Sequence, residues 1–166
     1  TSYGANVSIE KEGLQAGTYY ARVTGTNPTP YTLTDSLIVP AQANDNEPNG
    51  SKDAAININQ NQTVTGHIGY YWNHQRDSSD WYKFTTSADG KIKLILTSHF
   101  SQWVTWKLYD GNGTAELISG TSYGTNAHIE KEGLQAGTYY ARVTSTNATP
   151  YTLTDSLIVP AQANDN

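Results

Sequence analysis

The chain has 166 residues, 36% apolar and 15% charged, with no Cys and no Met. Ten Lys and Arg against fifteen Asp and Glu give a net charge of −5, which excludes the basic footprint of a nucleic-acid binder and weighs against docking on anionic lipid. Thiol catalysis, disulfides and thiolate metal sites are absent with the cysteines, and no apolar run approaches the roughly 18 residues of a membrane span, so no membrane insertion is expected.

The first feature in chain order is a repeat. Residues 1–46 reappear as residues 121–166, with five differences: Ala5/Thr125, Val7/Ala127, Ser8/His128, Gly25/Ser145 and Pro28/Ala148. A period of 120 residues is too long for a solenoid unit of roughly 20–50 residues and suits a whole β domain. The expected organisation is a tandem array. Residues 1–40 are read as the C-terminal third of a preceding repeat, 41–46 as a linker, 47–159 as one complete module and 160–166 as the start of the next linker.

Strand signals fill the module. Short alternating runs rich in Val, Ile, Thr, Tyr and Trp are punctuated by Gly, Asn and Asp. They predict strands near 54–59, 62–69, 80–87, 91–98, 103–109, 114–119, 126–132, 138–145 and 150–159. Asp89-Gly90 reads as a tight hairpin turn, and Asp110 to Gly113 as a second turn. No long stretch carries a 3.6-residue apolar period. The expected fold is all-β, an antiparallel, jelly-roll-like β-sandwich of about nine strands. Alternation places Val64, Ile68, Tyr82, Phe84, Ile92, Leu94, Leu96, Val104, Trp106, Leu108, Ile129, Tyr139, Val143, Tyr151 and Leu153 on the inward side. Residues 1–40 hold about three such strands without partners to cover their apolar face.

Several residues have the chemistry of a site. Asp45, Glu47 and Asn49 alternate, so an extended linker aims all three one way. Asp77 and Asp80 flank the loop entering the third strand. Together they offer four carboxylates and an amide, the hard oxygen donors that calcium takes; the competing reading is solvated acidic loops with an Asx-turn at Asp77. Gly120 to Gly124 matches G-x-S-x-G around Ser122, but that motif works on a strand-turn-helix and no helix follows, so a β-turn and no catalysis are expected. The four His (67, 74, 99, 128) lack metal-ligand spacing and are read as surface or strand-edge residues. Twelve Tyr and four Trp accompany only two Phe. Tyr70, Tyr71 and Trp72 fall in a loop, and Trp103 and Tyr109 face away from Trp106. Outward aromatics can stack on sugar rings or polypeptide, or pack across strands and against a neighbouring module.

Four stretches in order resemble the bacterial pre-peptidase C-terminal (PPC) domain. They are Glu47-Pro48-Asn49 with Asp53-Ala54-Ala55; Asp77 to Phe84, as D-x-x-D-W-Y-x-F; Trp106 to Gly113, as the L-Y-D-x-x-G turn; and Ala136 to Val143 with Tyr151 to Leu153, as the closing A-G-T-Y-Y-x-R-V hairpin. The resemblance implies a non-catalytic β-sandwich attached to secreted peptidases and other exported proteins, related to the collagen-binding domains of secreted bacterial collagenases. In calcium-binding members the linker and the D-x-x-D supply the ligands, which here become Asp45, Glu47, Asn49, Asp77 and Asp80. Gly50 departs from the Asp that such relatives often carry.

The expected function is a calcium-stiffened repeat unit of a secreted or cell-surface bacterial protein, a stalk, adhesin or extracellular fibre. Its partners are neighbouring copies, joined head to tail or by strand exchange. The alternative is an accessory module that binds polysaccharide or a fibrous protein such as collagen for a secreted hydrolase.

Overall fold

A computed structural model describes residues 6–161. It contains eleven strands and one 3-10 turn, Lys52–Ala54. The strands are β1 (Ile56–Asn57), β2 (Thr63–Ile68), β3 (Tyr71–Trp72), β4 (Gln75–Arg76), β5 (Ser79–Thr86), β6 (Gly90–Ser98), β7 (Trp103–Tyr109), β8 (Glu116–Tyr123), β9 (Asn126–Leu134), β10 (Gly137–Thr144) and β11 (Thr149–Ile158). One sheet has the order β1-β5-β10-β7-β8, the other β2-β11-β6-β9, and β3-β4 is a small separate ribbon. The pairings are antiparallel except β1 with β5, which is parallel.

Alternation explains the layers. Strand β6 buries every second residue from Gly90 to Ser98, including Ile92, Leu94 and Leu96, because successive side chains of a strand point to opposite faces. Of the fifteen residues expected inward, fourteen lie in one buried cluster and Val64 packs against it half-buried. Ile58 and Ala141 complete that cluster. Gly66 faces Tyr151 across the β2–β11 pair. A Cβ there would lie 2.5 Å from the Tyr151 hydroxyl oxygen, so this mid-strand glycine makes room for the tyrosine.

Three expectations change. Asp89-Gly90 does not close a hairpin: β5 and β6 lie in different sheets, and the turn carries the chain from one layer to the other. Asp89 Oδ1 accepts from the Ala136 N–H at 2.6 Å and anchors that crossing. Tyr71 and Trp72 are strand residues paired with Arg76 and Gln75, where a loop was expected. Gly120 to Tyr123 belong to β8, so the expected β-turn begins only after them. Asp110 to Gly113 is the turn between β7 and β8 as expected. Asp110 Oδ1 accepts from the Thr114 and Ala115 N–H groups at 2.9 and 3.1 Å.

Residues 6–40 contain no strand or helix. The segment 41–49 then lies against the sandwich. The Asn44 Oδ1 accepts from the His67 N–H at 2.7 Å, and the Trp81 N–H donates to the Asn49 carbonyl at 3.0 Å.

Candidate metal centre

The linker and the start of β5 meet at one end of the sandwich. Asp45, Glu47 and Asp80 each offer a carboxylate oxygen within 4.8 Å of the other two. Two oxygens bound to one calcium lie at most about 5 Å apart, so these three can share an ion. Asn49 is fully buried between them: its side-chain amide donates to Asp45 Oδ2 at 2.7 Å and its backbone N–H to Glu47 Oε2 at 3.1 Å. Asp77 stands outside the three-way group but close to both Glu47 and Asp80. Its Oδ1 accepts from the Ser79 N–H at 3.4 Å, a long bond and only a faint Asx-turn.

The donor set is oriented by two tyrosines that alternation places among the core residues. Tyr82 donates to Asp45 Oδ2. Tyr151 donates to Asp80 Oδ2 at 2.6 Å, and the two hydroxyls lie 2.6 Å apart. Burial, then the neighbouring carboxylates, pushes both phenols up, so they stay protonated donors. A signal existed: inward positions carry Tyr in a chain with only two Phe, and a buried hydroxyl needs a partner.

Each carboxylate thus has one oxygen held and one left over. Among the described residues six buried side-chain polar atoms have no hydrogen-bond partner: Asp45 Oδ1, Glu47 Oε1, Asn49 Oδ1, Asp77 Oδ2, Asp80 Oδ1 and, elsewhere in the core, Trp106 Nε1. Buried acceptors without donors are costly. Five of the six are oxygens from the five residues selected as calcium ligands. Their hardness and number fit calcium, which takes six to eight oxygens and often keeps some water. Burial, then the charge of Asp77, pushes the Glu47 carboxyl up to about 7. Burial is likewise the first cause that raises Asp45, Asp77 and Asp80, the last well above the carboxylate range. A divalent cation would supply the charge that these groups lack.

The aromatic residues differ in exposure and in what they pack against. Tyr71 and Trp72 are 43% and 42% exposed on the β3–β4 ribbon. Trp103 is 61% exposed and packs on Tyr123, its cross-strand partner, with ring centroids 5.3 Å apart, a residue that its sequence context does not mark. Tyr70 is half-buried against His67. Tyr109 is a correction. It is buried, with its ring centroid 5.1 Å from that of Trp81, because Trp81, with Arg142 over its ring, covers the outer face of this sheet. Ser122 is buried in β8 and donates to the Thr125 carbonyl at 2.7 Å, without the strand-turn-helix that an exposed nucleophile needs.

No protein-family model matches the chain, and no curated protein does. Among solved structures, the pre-peptidase C-terminal domain of collagenase from Bacillus anthracis overlays with a TM-score of 0.53. The fold is that of this β-sandwich. The overlay covers 68% of this chain and 100% of that domain, at 21% identity. Yersinia pseudotuberculosis-derived mitogen and the Aeromonas hydrophila periplasmic inhibitor of g-type lysozyme overlap at a TM-score of 0.40, with 14% and 11% identity. Each covers 63% of this chain, and 91% and 97% of its own. Among the described residues no helix is long and apolar enough to cross a membrane.

Proposed function

We propose that residues 47–159 form a non-catalytic, calcium-stabilised module, repeated in tandem in an exported bacterial protein and serving as a structural or adhesive element. The observation that carries the metal reading is the set of five unpartnered, buried oxygens at the junction of linker and sandwich. Asp45, Glu47 and Asp80 would hold the ion, with Asn49 and Asp77 completing the donor set. When bound, calcium supplies positive charge to a buried acidic group. The chain's own residues do the rest: Asn49 fixes the linker to β5 through Trp81, and Tyr82 and Tyr151 orient the carboxylates. A module whose linker is pinned in this way transmits direction from one copy to the next, which is what a stalk or fibre requires.

The copied 46 residues support the tandem reading, because near-identical neighbours supply length. Chelation is the test. Calcium in 1,000-fold excess over Kd stabilises a fold by about 4 kcal/mol, so EDTA should lower the melting temperature and expose residues 41–49 to proteases. Equal melting temperatures and equal cleavage with and without calcium would refute the metal reading.

The exposed Trp103–Tyr123 pair favours a second reading, an accessory module that binds polysaccharide or collagen. Aromatic pairs that stay in solvent are suited to stacking on such ligands. Pull-down on insoluble collagen and polysaccharide, with Trp103→Ala and Trp72→Ala as controls, tests it: retention lost in the variants supports this role, and no retention of the parent chain rejects it.

A further inference from the structure

Residues 6–40 repeat, at an offset of 120, the segment that forms β9, β10 and β11. In the module two of that segment's three strands are inner ones, while β9 forms the edge of its sheet. Strand β10 lies between β5 and β7, and β11 lies between β2 and β6, so one continuous piece of chain supplies an inner strand to both sheets. Ile129, Tyr139, Ala141, Val143, Tyr151 and Leu153 belong to the core cluster. Their counterparts Ile9, Tyr19, Ala21, Val23, Tyr31 and Leu33 are identical in type and exposed. Ile9 is 99% exposed against 8% for Ile129, and Tyr31 69% against 0% for Tyr151.

None of the five differences between the copies falls on a residue of that cluster. Ser8 stands for His128 and Ala5 for Thr125, both exposed in the module. Val7 stands for Ala127, which packs at the edge of the core. Pro28 stands for Ala148, which is buried just ahead of β11 but lies outside that cluster. Gly25 replaces Ser145 and forgoes the hydroxyl that reaches the Trp103 and Asn147 carbonyls. The chain therefore holds two segments that fit a single slot.

We propose that residues 6–40 are a strand donor, able to fill in a second copy of this chain the slot that residues 121–160 fill in their own module. The partner is fixed by register. The remaining strands of the same module leave a gap between β5 and β7 and another between β2 and β6, spaced for this sequence. Exchange leaves the number of uncovered segments unchanged, so the resident segment prevails while its local concentration is high. Disabling the resident tips the balance. A chain of these 166 residues then offers one slot and one donor, and copies join either reciprocally as dimers or head to tail as longer runs. The proposal rests on the copied-module reading and is independent of the cation.

The test uses the full chain carrying Val143→Asp, Val23→Asp or both. Val23→Asp should remain a folded monomer. Val143→Asp should keep a cooperative melt while sedimenting as a dimer or larger. The double variant should lose the melt. Because Thr144 faces Thr105 and the chain has no Cys, adding Thr24→Cys and Thr105→Cys to Val143→Asp should give chains linked to one another on a non-reducing gel. A Val143→Asp chain that melts out like the double variant, or that folds as a monomer, or that links within itself, overturns the proposal. Repeating the series in EDTA separates the two readings: loss of calcium stabilisation concerns the metal, and the cysteine link concerns the donor.

Discussion

Tyr151 donates its hydroxyl to Asp80 Oδ2 at 2.6 Å, joining an inner strand of one sheet to the acidic cluster borne by the other. Losing a hydrogen bond in a way that leaves a buried oxygen unpaired costs about 1–3 kcal/mol. Tyr151→Phe should therefore fold and lose stability in that range, as read by urea denaturation in EDTA. A loss below about 0.5 kcal/mol, the scale of an inert surface change, would show that Asp80 does not depend on this tyrosine.

The cluster also makes calcium binding depend on pH. Glu47 rises from 4.5 to about 7, first through burial and then through Asp77, and Asp45, Asp77 and Asp80 rise with it. A carboxyl raised on folding holds its proton more tightly in the folded than in the unfolded chain. Its contribution to stability is complete below the unfolded value and is lost as pH rises through the folded one. The calcium-free melting temperature should thus fall between pH 5 and pH 7.5. Calcium needs the ionised groups, so binding releases protons and tightens over the same interval. Calorimetry at the two pH values should show a stronger affinity at the higher one; equal affinities would contradict the ligand assignment.

Gly50 borders Glu47 and Asp77 in a shallow surface depression. A Cβ there meets the Ser79 carbonyl oxygen at 3.4 Å, an ordinary contact. Gly50→Asp should fit and add a carboxylate, and calcium affinity follows the charge of the ligand set. An increase on the order of tenfold is expected by calorimetry. Weaker binding would show that the site has no place for another anion.

Asp155 tests the repeat from another side. It is 1% exposed, and its two oxygens accept from the Asn61 and Gln62 N–H groups at 2.9 and 3.0 Å. Asp155→Ala leaves the Asn61 N–H unpaired, while the Gln62 N–H keeps the Asn59 carbonyl at 3.1 Å, and should cost about 1–3 kcal/mol. Its copy Asp35 is exposed, so Asp35→Ala should change the stability of the monomer by less than about 0.5 kcal/mol. Equal losses in both would mean that residues 6–40 are packed as tightly as their copy.

The layers of the sandwich were legible because alternation is a direct consequence of the pleat, as in β6. Pairing was less so. Asp89-Gly90 has the residues of a hairpin turn, but the same pair serves a crossing between sheets, and only the partner strands decide. The β3–β4 ribbon escaped because two residues are too few to alternate; its turn residues Asn73 and His74 have positive φ, and Asn was the sole local hint. Tyr109 points outward as its position requires, yet outward became buried once Trp81 lay across it. The five oxygen donors were chosen by residue type, alternation and family likeness, and the fold brings them together. The tyrosines that orient them lay hidden among the apolar positions, where a hydroxyl counts for nothing in a periodicity.

The most direct measure of the account is calcium itself, counted by equilibrium dialysis against the full chain and against Asp80→Asn. One tightly held ion per chain, lost or greatly weakened in the variant, is the predicted result. A chain that retains no calcium at millimolar concentration, or a variant that retains as much as its parent, would contradict it.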